Sequence, residues 1–146
     1  MKSREHEKLK VVLDTSVLVA GLLSKRGASA EVVSLVLTGK VHSFHTKAVM
    51  AELGEVLLRP KFWLDEQISE HYVRLLMDAS FQVEPLEAFA VTRCRDPKDD
   101  QFLSLASQTE ADYIVSLDKD LLDLKKHAAS DIAEPSSFLK AYRARR

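Results

Sequence analysis

The chain has 146 residues, a formal net charge of −1 and 46% hydrophobic residues, which is the composition of one ordinary globular domain. Four prolines and four glycines exclude a low-complexity or collagen-like chain, and the single cysteine, Cys94, excludes an internal disulfide and fits a reducing compartment. The polar N-terminal stretch and the short apolar runs predict neither a secretory signal nor a membrane span, so we expect a cytoplasmic protein.

Short apolar strands alternate with helical segments along the chain. The expected strands are residues 9–14, 41–44, 81–83, 113–116 and 130–133. The expected helices are residues 17–23, 28–38, 47–58, 66–79, 97–109 and 135–142. The alternation predicts right-handed βαβ crossovers in one α/β domain over residues 1–146, with residues 1–8 as a flexible arm. In the helix over 66–79, the spacing places five apolar side chains inward: Ile68, Tyr72, Leu75, Leu76 and Ala79.

Two acidic residues follow strands that have the apolar sequence of buried parallel strands. Asp14 ends the run Val11–Leu13, and Asp118 comes just after the strand over 113–116. Taken singly, Asp14 could cap the next helix and Asp118 could belong to an Asp-rich turn. Because parallel strands end at the same edge of a sheet, we expect the two carboxylates to lie near each other.

Two further acidic positions are harder to explain by local structure alone. Glu52 lies at the edge of the apolar stripe of its helix, where a carboxylate is costly unless a basic side chain or a cation compensates it. Asp96 and Asp99 suit a helix start that has Pro97 in its first turn. Asp100 is not needed for that start, and three acids within five residues repel one another.

The four positions Asp14, Glu52, Asp100 and Asp118 together predict a site for a divalent cation. Only carboxylates and hydroxyls accompany them, and hard oxygen ligands suit Mg²⁺ or Mn²⁺ rather than Zn²⁺. His42 and His45 flank a strand, and we favour packing or surface roles for both.

Four stretches of the chain resemble the PIN domain nucleases, a family that includes the VapC-type toxins of bacterial toxin–antitoxin pairs. They are residues 12–19 (VLDTSVLV), 51–57 (AELGEVL), 95–103 (RDPKDDQFL) and 113–120 (YIVSLDKD). The Arg-Asp-Pro run and the segment 59–62 (RPKF) are similar to a branch described as toxin components. Ser116 stands where the family often has Thr, and Lys98 stands where this branch often has an acid.

The resemblance implies a three-layer α/β/α fold with a mostly parallel sheet of about five strands, and a metal-dependent ribonuclease. It carries the acidic quartet over to the four positions above as catalytic residues and ligands of Mg²⁺ or Mn²⁺. It also implies helper hydroxyls and outer-shell acids at Thr15, Ser16, Ser116, Asp96, Asp99 and Asp120. Hydrolysis by a metal-activated water would leave 5′-phosphate and 3′-hydroxyl ends. A cognate antitoxin and a homodimer are the protein partners that the resemblance implies.

Several alternatives accompany this interpretation. A PIN-fold module that binds RNA or protein without catalysis would keep the fold and lose the chemistry. A haloacid-dehalogenase-like phosphatase needs a second Asp two residues after the first, where this chain has Ser16. A receiver-like domain needs a lysine on a late strand, and the strand over 113–116 has none.

The sequence offers several candidate contacts to RNA but does not choose among them. Candidates for phosphate binding are Lys25, Arg26, Arg59, Lys61 and Lys119, all of which could equally be solvated surface. Phe62 and Trp63 could stack on a base or fit a partner's groove, but we favour packing within a helical hairpin.

Overall fold

The structure, a computed structural model, describes residues 7–24 and 26–145. Most of the predicted arm over residues 1–8, and the candidate phosphate ligand Lys25, lie outside the described residues. None of the described helices is long and apolar enough to cross a membrane.

A six-stranded sheet forms the centre of the molecule, with the strand order β3-β2-β1-β4-β6-β5. Its strands are β1 (Lys10–Leu13), β2 (His42–His45), β3 (Phe81–Gln82), β4 (Tyr113–Val115), β5 (Lys126–His127) and β6 (Ser130–Ala133). All neighbouring strands are parallel except β5, which pairs antiparallel with β6. The three-layer, mostly parallel α/β/α prediction is therefore confirmed, with one strand more than expected.

Seven helices of the described chain cover this sheet. They are α1 (Thr15–Leu23), α2 (Ala28–Leu37), α3 (Lys47–Leu57), α4 (Glu66–Ala79), α5 (Asp100–Thr109), α6 (Lys119–Leu122) and α7 (Pro135–Arg143). Each of the six predicted helices is present, and the one-turn helix α6 is additional. Short 3₁₀ turns occur at Pro60–Phe62, Glu87–Phe89 and Pro97–Asp99.

The two central strands supply the middle of the core. Val11 and Val12 of β1 and Ile114 and Val115 of β4 are fully buried, as expected for strands covered on both faces. Phe138 of α7 is also fully buried and is the largest such side chain. These strands end where the chain reaches Asp14 and Ser116, so a rigid, packed sheet edge supports both residues.

The inward face of α4 differs in part from the prediction. Tyr72 and Leu76 are buried, and the Tyr72 hydroxyl donates to the Leu18 carbonyl at 2.5 Å. Ile68 and Leu75, however, are 51% and 41% exposed. The buried face of α4 is narrower than its apolar sequence suggested, because the helix packs against α2, α3 and β3 and leaves Ile68 and Leu75 exposed.

Candidate active site

Asp14 is held rigidly at the end of β1 by hydrogen bonds to both of its carboxylate oxygens. Its Oδ1 accepts from Ser16 Oγ at 2.5 Å and from the Val17 amide at 3.2 Å, which caps α1. Its Oδ2 accepts from Ser116 Oγ. Burial raises the pKa of Asp14, and the nearby charge of Asp118 acts in the same direction, although the three hydrogen bonds oppose the rise.

The same two serines connect Asp14 to the loop that carries Asp118. Ser16 Oγ accepts from the Leu117 amide at 3.1 Å, and Ser116 Oγ accepts from the Asp118 amide at 2.9 Å. The Asp14 amide also donates to the Val115 carbonyl at 3.1 Å. The loop after β4 is therefore fixed in position relative to the end of β1, as the shared sheet edge predicted.

Glu52 reaches the site from α3, on the other side of Asp14. Its Oε1 accepts from Thr15 Oγ1 at 2.8 Å, so the first residue of α1 orients the carboxylate. The side chain is half-buried, and none of the ion pairs in the described chain includes it. The alternative explanation of Glu52, a salt bridge to a buried basic residue, is thus not what the structure shows.

The acidic run 96–100 contributes Asp99 to this group, and not Asp100 as the sequence predicted. The side chain of Asp99 hydrogen-bonds to Asp118. Burial raises the pKa of Asp99 to about 7, and the charges of Asp118, Asp96 and Asp14 add to that effect. Close to neutral pH, Asp99 is therefore partly protonated, because three other carboxylates lie near it.

Asp100 does not line the cleft, so the structure does not bring this predicted site residue together with Asp14, Glu52 and Asp118. Its Oδ1 accepts from the amides of Arg93 and Cys94 at 2.9 and 2.7 Å. Partial burial alone would raise the pKa of Asp100, but these hydrogen bonds outweigh it and lower the pKa. On the same face of α5, Ser104 Oγ accepts from the Val91 amide at 3.1 Å. This face of α5 positions the preceding segment.

The point at which α5 begins explains why the Asp99 and Asp100 side chains point in different directions. Pro97–Asp99 forms a 3₁₀ turn, capped by the Asp96 carboxylate on the Lys98 amide at 3.0 Å, and α5 begins only after it. Successive residues of a helix differ by about 100° in direction, so neighbouring carboxylates cannot face the same cleft. The polar spacing of Asp100, Ser104 and Ser107 was the available signal that this face contacts other chain segments.

An open cleft of about 310 Å³ lies over these side chains. Its acidic lining residues are Asp14, Glu52, Glu55, Asp96, Asp99 and Asp118. Glu55, one turn from Glu52 on α3, is exposed and also lines the cleft. Arg59 and Lys98 also line the cleft, and within residues 7–24 and 26–145 neither forms an ion pair.

The predicted supporting residues divide into two groups. Thr15, Ser16, Ser116 and Asp96 contact the cluster or cap the turn beside it, as described above. Asp120 does not line the cleft, and its amide donates to Asp118 Oδ1 at 2.9 Å. Asp120 thus supports the site through its backbone amide, which orients the Asp118 carboxylate, and not through its side chain.

Neither histidine of the predicted pair lies in the cleft. His45 is buried, with its Nδ1 2.6 Å from Ser80 Oγ, and His42 packs edge-on against the Phe81 ring. Cys94 is half-buried, and burial together with Asp100 raises its thiol pKa to about 12, so it is not an activated nucleophile. Among the described residues, the side-chain atoms that line the cleft and could bind a metal ion are therefore all oxygens.

The donor chemistry of the cleft fits a hard divalent cation. In the part of the chain that the structure describes, no three acidic, histidine or cysteine side chains are already arranged to hold an ion. Instead Asp99 and Asp118 share a hydrogen bond, and Asp14 and Glu52 are satisfied by hydroxyls. A cation would replace the shared proton of Asp99 and relieve the repulsion that raises its pKa.

This proton gives a testable pH dependence of stability. The pKa of Asp99 is 3.8 in the unfolded chain and about 7 in the folded protein, so only the folded state holds the proton between these values. The contribution of Asp99 to the free energy of unfolding of metal-free protein should therefore be complete below about pH 4, fall as the pH rises to about 7, and then level off. Urea unfolding of wild-type protein and of the Asp99→Asn variant in a chelator, at about pH 5 and about pH 8, measures this. The variant should lack the fall in stability that Asp99 contributes, and an unchanged difference between the two pH values would contradict the assignment.

Comparison with known proteins identifies the class to which this fold and cleft belong. The PIN domain family model matches residues 10–120, and the chain belongs to that family. The uncharacterized protein MJ1680 of Methanocaldococcus jannaschii is 28% identical over 128 residues, which cover 86% of this chain and 81% of that protein. The crystal structure of PAE2754 from Pyrobaculum aerophilum has a similar fold, with a TM-score of 0.61 and 15% identity, covering 94% of this chain and 99% of that one.

Proposed function

We propose that this PIN domain is a metal-dependent ribonuclease whose catalytic residues are Asp14, Glu52, Asp99 and Asp118. The observation that carries the proposal is the arrangement of carboxylates from four separate segments around one 310 Å³ cleft. Hydrogen bonds orient the four carboxylates, and no ion pair within the described residues neutralises any of them. PIN domains are commonly nucleases, and this arrangement agrees with that chemistry.

The proposed ligands of the cation are these same four residues. A bound Mg²⁺ or Mn²⁺ would activate a water molecule and neutralise charge on the scissile phosphate. The chain's own contribution is orientation, because Ser16 and Ser116 fix Asp14 while Thr15 fixes Glu52. Asp99 would give up its proton on ion binding, so ion affinity should increase up to about pH 7.

The approach of the substrate depends on the basic side chains at the cleft. The lining of the cleft is strongly acidic, so without a cation it would repel an RNA backbone. Arg59 and Lys98 line the cleft and are free of ion pairs in the described chain, and we propose that they contact phosphates of the RNA near the scissile bond. Lys119, in contrast, pairs with Asp123 at 3.1 Å and is a weaker candidate.

The proposal is tested by incubating purified protein with end-labelled single-stranded RNA, in a chelator and then with Mn²⁺ or Mg²⁺ added back. Cleavage should occur only with the cation and should leave 5′-phosphate ends. Asp118→Asn keeps a good N-cap residue for α6 and should lower the rate at least about tenfold. Asp123→Asn, the same charge change on the exposed neighbouring surface, should leave the rate unchanged.

Two results would reject the nuclease proposal. One is the lack of any cation-dependent cleavage by folded protein, which would favour a non-catalytic PIN module. The other is cleavage that Asp118→Asn retains in full, which would assign the activity to a contaminant or to another site. The toxin role, the antitoxin partner, the homodimer and the cytoplasmic location stay predictions from the sequence.

A further inference from the structure

Trp63 has a position that its sequence context did not predict. We expected it to pack in the hairpin of α3 and α4, but its side chain is 92% exposed, whereas Phe62 is half-buried. The next most exposed large apolar side chain is Leu86, at 54%. Trp63 is thus the one large hydrophobic residue of the described chain that contributes almost no area to the core.

The backbone at Trp63 is also unfavourable for a tryptophan. Its φ of 55° lies in the left-handed region, which is unfavourable for any residue other than glycine. The conformation follows the 3₁₀ turn Pro60–Phe62, in which the Trp63 amide donates to the Pro60 carbonyl at 3.1 Å. A glycine would satisfy this turn better, so the stability of the fold does not account for an exposed indole here.

Two basic residues, Arg59 and Lys61, precede Trp63 in the chain, and two acidic residues follow it after Leu64. Arg59, four residues earlier, lines the cleft beside Glu52 and Asp99. Lys61 lies between them in the chain, with its Nζ 5.0 Å from the centre of the Phe62 ring. Neither cation forms an ion pair within the described residues. An exposed ring beside free cations is the combination that single-stranded nucleic acids bind.

We propose that Trp63 is a stacking platform for an unpaired base of the RNA, with Arg59 on the phosphate between that base and the acidic cleft. The inference rests on the proposed ribonuclease function and makes it specific for a single-stranded segment at this side of the cleft. Arg59 and Lys61, which precede Trp63 in the chain, carry the charge that a phosphate backbone complements, and this favours RNA as the occupant. Docking of a protein helix on this ring is the competing outcome of the test.

The experiment uses Trp63 itself as the probe, because it is the single tryptophan of the chain. A single-stranded oligoadenylate of about twelve nucleotides is added to the Asp118→Asn protein with Mg²⁺ while tryptophan fluorescence is recorded. Stacking should quench the emission in a saturable way. A blunt RNA duplex of the same length should quench it far less, because its bases are not available.

Matched variants separate stacking from general effects on the protein. Trp63→Ala should weaken oligoadenylate binding, measured by anisotropy of a labelled strand, by at least about fivefold. Trp63→Gly should weaken it equally while raising Tm by a few degrees, because glycine tolerates the left-handed backbone. Phe81→Ala removes another exposed aromatic, on the edge strand β3, and should leave binding unchanged.

The failures of the two proposals are distinguishable. If wild-type protein cleaves RNA but the fluorescence of Trp63 does not respond, or Trp63→Ala binds as tightly as its parent, the stacking proposal is wrong and the nuclease proposal stands. That result would leave the ring as a surface for a protein. If wild-type protein neither binds nor cleaves RNA, the nuclease proposal fails and the stacking proposal fails with it.

Discussion

Replacing Asp99 by asparagine is expected to lower the rate of cation-dependent RNA cleavage by about a hundredfold or more. Asp99 is the central member of the cluster, since its side chain hydrogen-bonds to Asp118 and receives the charges of Asp96 and Asp14. The substitution removes a carboxyl group whose proton a cation would displace. The rate is measured with end-labelled RNA at saturating Mn²⁺, alongside the thermal stabilisation that Mn²⁺ produces.

Asp100→Asn is the matched control, because it makes the same change one residue later. Asparagine keeps the oxygen that accepts from the amides of Arg93 and Cys94, so Tm should fall by only a few degrees. The cleavage rate should stay within a few-fold of the wild-type rate. An inactive Asp100→Asn protein beside an active Asp99→Asn protein would restore the sequence-based assignment and reject the one made from the structure.

Phe138→Ala is expected to have the largest effect on stability, lowering the free energy of unfolding by about 3–5 kcal/mol. Phe138 is fully buried in α7, with its ring centre 5.2 Å from that of Tyr113 and 6.3 Å from that of Tyr142. Its removal leaves a cavity between α7 and β4, the strand that leads into Ser116. Urea unfolding should show the loss directly, with a fall in Tm of about 10 °C or more.

The control for this substitution is Phe81→Ala on the edge strand. Phe81 is 53% exposed and contacts His42 and Phe44 from one side, so its loss should cost far less. Because α7 lies beyond residues 10–120, the Phe138 result also tests whether this helix is part of the same cooperative unit. Equal stability losses in the two variants would contradict the described core.

The parts of the fold that were predicted are those with a strong local pattern. The apolar runs of β1 and β4, the start of α3 at Lys47 and the full span of α4 were all anticipated, because burial imposes a regular spacing on apolar residues. The strand β5 has only two residues and joins β6 through a turn with Ala128 at a φ of 52°, which no glycine marks. Such a hairpin leaves no pattern to detect.

The candidate site was predictable in its elements but not in every side chain. The two strand ends predicted that Asp14 and Asp118 lie near each other, and both line the same cleft, since parallel strands fix where their carboxyl ends meet. The choice between Asp99 and Asp100 depended on a single 3₁₀ turn, whose altered phase the sequence does not reveal. The exposure of Trp63 depended likewise on one left-handed residue after Pro60–Phe62.

Anomalous diffraction from crystals of this protein soaked in Mn²⁺ is the most direct measurement of the central claim. We predict a manganese peak in the cleft, with oxygen ligands from Asp14, Asp99 and Asp118 and with Glu52 bound directly or through water. Asp100 should remain on the amides of Arg93 and Cys94. A cleft that stays without manganese at saturating concentration, or an ion held by Asp100 instead of Asp99, would contradict this assignment.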